Sequence, residues 1–426
     1  MNVRSRELVG LLIAGMAVAA AYATVFIAQS KVIDPASLTW GGCFLALMLG
    51  AHLLVRHLAP LADPWLLPAV TLLCGLGVTL IYRLDPTNAS RQTMWLVVGI
   101  AAMVGVLKFL PDHMELARLK YVIGVASIAI LLLLLTPFGE EIRGARLWLN
   151  FGGPFRIQPG EFTKIGIVIF LAAYLRDNRD LFNRRFSAKH LGPLVLFWGL
   201  ALAMLVLLND FGTSLLFFGT FLLMLYVATG RLWYVAAGLA SFLGASALVY
   251  QIAGHVRARF DVWLDPWMDE GGAGYQLAQG LYALADGGLF GRGLGQAFLV
   301  TDSGTTLIPD AHTDYIFAVA ADELGFIGAI GLLLVFVVIS WRGITIATRS
   351  NDGFSKLLAF GLAAVFLLQT IIIVGGIVRL LPLTGQTLPF VSYGGSSLLA
   401  NFIMVALLLR ISHHAAAQNA AQGVRR

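Results

Sequence analysis

Apolar residues along this chain gather in long unbroken runs, with short polar punctuation between them. Twelve such runs lie near residues 8–28, 39–55, 65–82, 93–110, 121–137, 161–175, 191–208, 212–229, 232–251, 315–341, 356–376 and 393–411. A helix needs about 20 apolar residues to cross a bilayer, so the pattern predicts about twelve transmembrane helices and an all-α polytopic membrane protein. The run at 161–175 is short, and Asp210 separates the runs at 191–208 and 212–229 with almost no loop. Arg4 and Arg6 precede the first run as they would in a signal peptide. That run is longer than a usual signal core and lacks a convincing cleavage site, so it is read as a span.

Composition narrows the classes. Of 426 residues, 58% are apolar and 12% charged, against about 45–50% and about 25% in soluble domains. A soluble enzyme, a nucleic-acid binder and a disordered scaffold are all excluded on this balance. The net charge of +6 contains no basic block of the kind nucleic acid needs, and positive charge facing an anionic membrane surface accounts for it. Cys43 and Cys74 lie inside apolar runs and form no metal spacing.

Lysine and arginine set orientation. With the N-terminus inside, 18 of the 29 fall on inner segments and 11 on the outer side, which places both termini in the cytoplasm. The exceptions concentrate at 140–164, where Arg143, Arg146 and Arg156 sit on the translocated side. A phosphate-bearing ligand would match their guanidinium forks; pairing with Glu140, Glu141 and Glu161 is the other reading, and these residues alone leave both open.

The longest outer loop runs from about 252 to 314 and contains Trp263, Trp267 and Tyr275. Its stretch 275–284 is expected to form a short interfacial helix. GRGLG at 291–295 reads as a flexible turn, since no strand precedes it. The loop ends where carboxylates crowd the mouth of a span: Asp310, Asp314, Asp322 and Glu323. Glu323 lies roughly 13 Å farther along a helix axis than Asp314, and an ionisable group within a span is a functional candidate. Asp314, beside the wet face, is the better candidate for chemistry on an outer substrate; a helix cap is its alternative role. His312 reads as a loop hydrogen-bonding group, because no second His or Cys stands at ligand spacing. No metal ligands are assigned.

Glu161 and Lys164 are three apart and share a helix face behind Pro159. Asp210 and Gly212 mark a sharp reversal. The last outer loop, 380–402, is dense in Pro, Gly and Ser and carries Ser392 and Tyr393. A re-entrant cavity wall and a plain turn fit it equally.

These segments resemble the shape, elongation, division and sporulation (SEDS) family, the family of RodA and FtsW. The resemblance rests on GARLW (144–148), RIQPGEFTK (156–164), NDFGTS (209–214), DPWMDEGGAGYQLAQ (265–279), PDAHTDYIFAVAADELG (309–325) and PLTGQTLPFVSYGGSSL (382–398), in family order across about 65–411. It implies a ten-helix glycosyltransferase domain at 61–412, two additional N-terminal helices within 1–60 and a short cytoplasmic tail at 413–426. It also implies polymerisation of lipid II into peptidoglycan at the outer face of the bacterial cytoplasmic membrane, with release of undecaprenyl pyrophosphate. The implied partner is a class B penicillin-binding protein, and the product is an undecaprenyl-linked glycan. By residue it implies Asp314 as the catalytic aspartate and Arg91, Arg156, Glu161 and Lys164 as substrate-binding. Arg143, Arg146, Asp210, His312, Glu323, Ser392 and Tyr393 are further cavity candidates. A divalent cation could assist, though no carboxylate cage for one is visible. NDFGT stands where the family usually has Pro-Asp-Leu-Gly-Thr, and Gly160 where it has Ser. The extra N-terminal helices incline the reading to RodA-like elongation rather than division. A lipid II flippase and a non-catalytic scaffold are the alternatives; no pair of matched halves is visible to support a transporter.

Overall fold

The structure, a computed structural model, describes residues 3–30, 35–142, 144–150, 152, 156–178, 208–252, 254–297 and 306–423, with isolated positions between 192 and 207. Helices dominate. Those at Val3–Ser30, Pro35–Leu58, Leu66–Leu84, Pro86–Phe109, Lys120–Leu132, Pro159–Asp177, Phe211–Thr229, Leu232–Ile252, Ile316–Arg349, Gly353–Ile377 and Gly395–Gly423 answer eleven of the twelve expected runs. The run at 191–208 lies largely outside the described residues. Eight described helices are long and apolar enough to cross a membrane, and Lys120–Leu135 and Leu232–Ala247 are shorter apolar helices. The protein is a multi-pass, all-α membrane protein.

Helix ends follow capping rather than hydropathy. The apolar run near 93–110 is preceded by a polar turn, and the helix nevertheless begins at Pro86. The Asp85 side chain accepts from Thr87 N at 2.8 Å and Asn88 N at 3.2 Å, which satisfies amides that a helix start leaves open. Asp352 does the same for Gly353–Ile377, accepting from Ser355 N at 2.8 Å. The last helix runs through Gly423, so the described part of the expected tail is helical.

Buried polar contacts join the two N-terminal helices to each other and, at Ala62, to the chain beyond them. Arg4 pairs with Glu7 and donates to the carbonyl of Ala62, and Glu7 accepts from His52 Nδ1 at 2.6 Å. At their other end the Tyr22 ring stacks on Trp40, centroids 4.2 Å apart, and lies 4.9 Å from Tyr82.

Segments between the expected spans carry structure. Residues 139–157 form a three-stranded antiparallel sheet, with Gly139–Ile142 (β1), Ala145–Asn150 (β2) and Arg156–Ile157 (β3) in the order β1-β2-β3. Ile142 pairs with Ala145, so the β1–β2 turn is two residues long. The 252–314 loop contains helices Gly254–Leu264 and Tyr275–Gly287, the second at the expected interfacial segment. The run at 315–341 is one apolar stretch but not one straight helix: Gly325 breaks it at φ 70°. GRGLG is docked into that break. Arg292 N and Gly293 N donate to the carbonyls of Asp322 and Glu323 at 3.0 Å, and Phe326 N reaches Gly288 O at 2.8 Å. Backbone groups freed by the break therefore find protein partners, as they must in an apolar setting. A Cβ at Gly325 would come within 2.2 Å of Gly291 N. Gly325→Ala adds this clash to an unfavourable left-handed φ and is expected to cost about 1–3 kcal/mol, read as a lowered Tm in thermal unfolding of the detergent-solubilised chain.

Candidate active site

Helix Pro159–Asp177 carries the most buried charge pair among the candidates. Pro159 pre-sets its first turn, and the three-residue spacing puts Glu161 and Lys164 on one face. Lys164 is 2% exposed and Glu161 6%. Lys164 Nζ donates to Glu161 Oε2 at 2.6 Å, to Gln369 Oε1 at 3.1 Å and to Asn401 Oδ1 at 3.2 Å. A buried ammonium has three protons to place, and here each meets an oxygen from a different position along the chain.

A second centre forms at the chain reversal before Phe211. Asp210 is buried and caps Phe211–Thr229, accepting from Thr213 N at 3.0 Å. Gln386 Nε2 lies 3.3 Å from Asp210 Oδ1 and donates to Thr213 Oγ1 at 2.8 Å. Gly212 is needed for that approach: a Cβ there would sit 2.6 Å from Gln386 Cγ and 2.9 Å from Thr384 Cβ. Gly160 backs onto the same carboxylate, its would-be Cβ 3.7 Å from Asp210 Oδ2.

Asp314 is half-buried just before helix Ile316–Arg349. The turn that holds it is fixed from the last loop. Ser392 Oγ donates to Thr313 O at 2.5 Å and accepts from Leu388 N at 2.9 Å. Tyr393 N donates to His312 O at 2.8 Å, with the two rings 5.6 Å apart. The His312 contact to Tyr393 N runs through its backbone carbonyl. A Cβ at Gly385 would lie 3.6 Å from Asp314 Oδ2. The segment 384–387 therefore passes Asp314 at Gly385 and meets Asp210 at Gln386. It reaches the Lys164 shell at Thr387, whose carbonyl accepts from Gln369 Nε2 at 2.9 Å.

Arg259, on helix Gly254–Leu264, interacts electrostatically with both Asp210 and Asp314. Burial pushes its guanidinium below the ordinary arginine range, and the two carboxylates act in the opposite direction. Arg259 is one of the 29 Lys and Arg residues, and nothing in the sequence singled it out. Gln369 and Asn401 were also missed. The signal for them was available, as uncharged polar residues inside apolar runs, buried at 1% and 0% exposure.

Other candidates lie apart from this cluster. Arg156 is on β3 with its side chain 51% exposed and pairs with Glu140 Oε1 at 2.8 Å, which is the pairing alternative weighed for the outer arginines. Arg146 Nε donates to Gly139 O at 3.2 Å within the sheet. Arg143 lies outside the described residues. Arg91 is exposed on helix Pro86–Phe109. Glu323 is buried 3.2 Å from Arg83 Nε, under the 291–295 loop rather than beside Asp314.

The described residues form a multi-pass helical membrane body with one short sheet, and the Lys164, Asp210 and Asp314 centres meet along the 384–387 segment, an arrangement suited to a polytopic membrane enzyme. The family model of the FtsW, RodA and SpoVE cell cycle proteins matches residues 64–417, and the chain belongs to this family. The peptidoglycan glycosyltransferase RodA of Mycobacterium tuberculosis is 40% identical over 97% of this chain and 91% of its own length. Stage V sporulation protein E of Bacillus subtilis is 36% identical over 78% of this chain and 89% of its own. Among solved structures, one chain of a peptidoglycan synthase complex that coordinates polymerisation and crosslinking superposes with TM-score 0.70 at 26% identity, covering 83% of this chain and 98% of that one. Rod shape determining protein RodA of Thermus thermophilus gives TM-score 0.58 at 27% identity, covering 82% and 96%.

Removing Lys164 strands the Glu161 carboxylate in a buried site. Lys164→Met is expected to destabilise by about 3–5 kcal/mol, and adding Glu161→Gln should recover part of that loss. Thermal unfolding of both variants and of Glu161→Gln alone checks it as a double-mutant cycle.

Proposed function

We infer that this chain is a peptidoglycan glycosyltransferase that polymerises lipid II at the outer face of the cytoplasmic membrane, alongside a class B penicillin-binding protein that crosslinks the product. The observation that carries the reading is the convergence of Asp314, Asp210 and the shell of the Glu161–Lys164 pair on the single segment 384–387, with Arg259 acting on both aspartates. The mycobacterial relative named for this activity, aligned over 97% of the chain, supports it. Residues 61–412 are the catalytic domain in this reading, and the first two helices are an addition packed against it.

Lipid II is a disaccharide–pentapeptide on undecaprenyl pyrophosphate. The 4-hydroxyl oxygen of an incoming GlcNAc bonds to C1 of the donor strand's terminal MurNAc. The C1–O bond to pyrophosphate breaks, undecaprenyl pyrophosphate leaves with the electron pair, and the anomeric centre inverts from α to β. Asp314 takes the hydroxyl proton; a positioned base of this kind contributes about 10²–10⁴-fold. Arg259 supplies positive charge beside Asp314. Lys164, its protons held by Glu161, Gln369 and Asn401, fixes the helices around the site, and the exposed Arg156 is the cation available to the developing pyrophosphate charge. Arg156 would have to leave Glu140 to join it, which an exposed pair permits at little cost.

The test is polymerisation by the purified chain in complex with its cognate penicillin-binding protein, blocked at the transpeptidase serine, with lipid II supplied and glycan strands resolved on a gel. Wild type is expected to make polymer. Asp314→Asn is expected to lose at least about 10²-fold in rate with the complex intact. Polymer from Asp314→Asn at the wild-type rate removes Asp314 as the base. No polymer from either, with the complex intact, favours lipid II flipping or a scaffold role, which a translocation assay then separates.

A further inference from the structure

On the face that carries Arg4 and Ser412, opposite the Asp314 end of helix Ile316–Arg349, three potential metal ligands converge. Asp112 and His113 lie in the connection after helix Pro86–Phe109, and His414 lies on helix Gly395–Gly423. One donor atom from each lies within 4.8 Å of the others. The two imidazoles meet edge-on, centroids 5.2 Å apart and planes at 74°.

The His113 ring is oriented as a ligand would be. The residue is 2% exposed. Its Nε2 is 2.5 Å from Ser355 Oγ, and Ser355 Oγ is placed to donate toward Met114 Sδ at 4.0 Å. A hydroxyl that donates to sulfur accepts from Nε2–H, which leaves the lone pair on Nδ1. Nδ1 is buried and has no hydrogen-bond partner, a costly state for a polar atom. Fixing one imidazole nitrogen through a neighbouring side chain while the other faces the site is the arrangement of metal-bound histidines.

The surroundings suit a cation. A cavity of about 120 Å³ lies beside these residues, its wall completed by Asn351, Asp352 and Gln418. That volume exceeds the ~30 Å³ of a water molecule, so solvent can complete a coordination shell. Asp112 accepts from Met114 N at 2.9 Å through one oxygen, and a carboxylate keeps lone pairs on its other. Asp112 and Asp352 favour positive charge at His113, while His414 and Arg410 oppose it. The Arg410 guanidinium is already taken by the carbonyls of Leu58 and Leu107.

We propose that Asp112, His113 and His414 form a binding site for a divalent transition metal of the Zn²⁺ class, which clamps the 110–113 connection to the C-terminal helix. Two imidazoles and one carboxylate favour Zn²⁺, Co²⁺ or Ni²⁺ over Mg²⁺ or Ca²⁺. The site is remote from Asp314 and serves folding and position rather than sugar transfer.

The test uses the full chain without an affinity tag, in detergent, stripped with EDTA and then incubated with Zn²⁺ alone. Unbound metal is removed by gel filtration and the retained metal is measured by mass spectrometry. Wild type is expected to retain about one Zn²⁺ per chain and to gain Tm, as a ligand specific to the folded state requires. Asp112→Ala and His414→Ala, at positions not fully buried, are expected to bind at least about tenfold more weakly, while His413→Gln binds as wild type does. Co²⁺ in place of Zn²⁺ is expected to give visible absorption that both ligand variants lose. Absence of retained Zn²⁺ in wild type overturns the proposal, as does equal retention by wild type and both ligand variants.

Discussion

An ammonium ion buried in an apolar helical body persists only where its charge and its protons are all met, and Lys164 sets that condition here. Its contacts with Glu161, Gln369 and Asn401 bind helix Pro159–Asp177 to Gly353–Ile377 and Gly395–Gly423. Desolvation makes the arrangement intolerant of vacancy, since a buried charge without its partner costs several kcal/mol. The helices around the cluster are therefore held in one mutual register by polar chemistry, where apolar packing alone tolerates sliding among similar side chains.

The irregular segment after Arg379 depends on the same condition. It carries left-handed backbone at Arg379, Gly385 and Phe390, yet its polar groups are engaged by Gln369, Ser392 and Ser397. Because it is fixed on one side to the Lys164 shell and on the other to the Asp210 cap, it can hold the turn bearing Asp314 through Ser392 and Tyr393. The break at Gly325 follows the same logic. Helix hydrogen bonds lost there are replaced by the docked 287–293 backbone, which also closes over Arg83 and Glu323.

A glycosyl transfer with a lipid-linked donor asks for a base at the water-facing end and positive charge near a pyrophosphate. In the proposed reaction Asp314 and Arg259 would answer those needs from different segments, and their placement would inherit its precision from the buried polar links between helices. The exposed sheet arginines contribute differently. Arg156 is paired with Glu140 at the rim, where solvent screening keeps the pair weak and exchangeable.

The sequence by itself determined the membrane class, eleven described helices, the helix-forming stretch at 275–284 and the pairing of Glu161 with Lys164, because each depends on hydrophobic runs or on spacing within one turn. It also offered Asp314, from carboxylates crowding a span mouth, and Asp210, from a sharp reversal between spans, as candidates for the site. It set Glu323 deeper than Asp314 along one helix but did not give their partners; burial under the glycine-rich loop sends the first to Arg83 and leaves the second beside Arg259. Nor did it foresee the sheet at 139–157 or the break at Gly325, since a hydropathy pattern is blind to backbone hydrogen bonds between distant segments. The joining of Lys164 to Gln369 and Asn401, of Asp210 to Gln386, and of His113 to His414 was decided by tertiary structure alone. Those partners are remote in sequence, and only the packing of helices fixes which polar side chains must satisfy one another away from water.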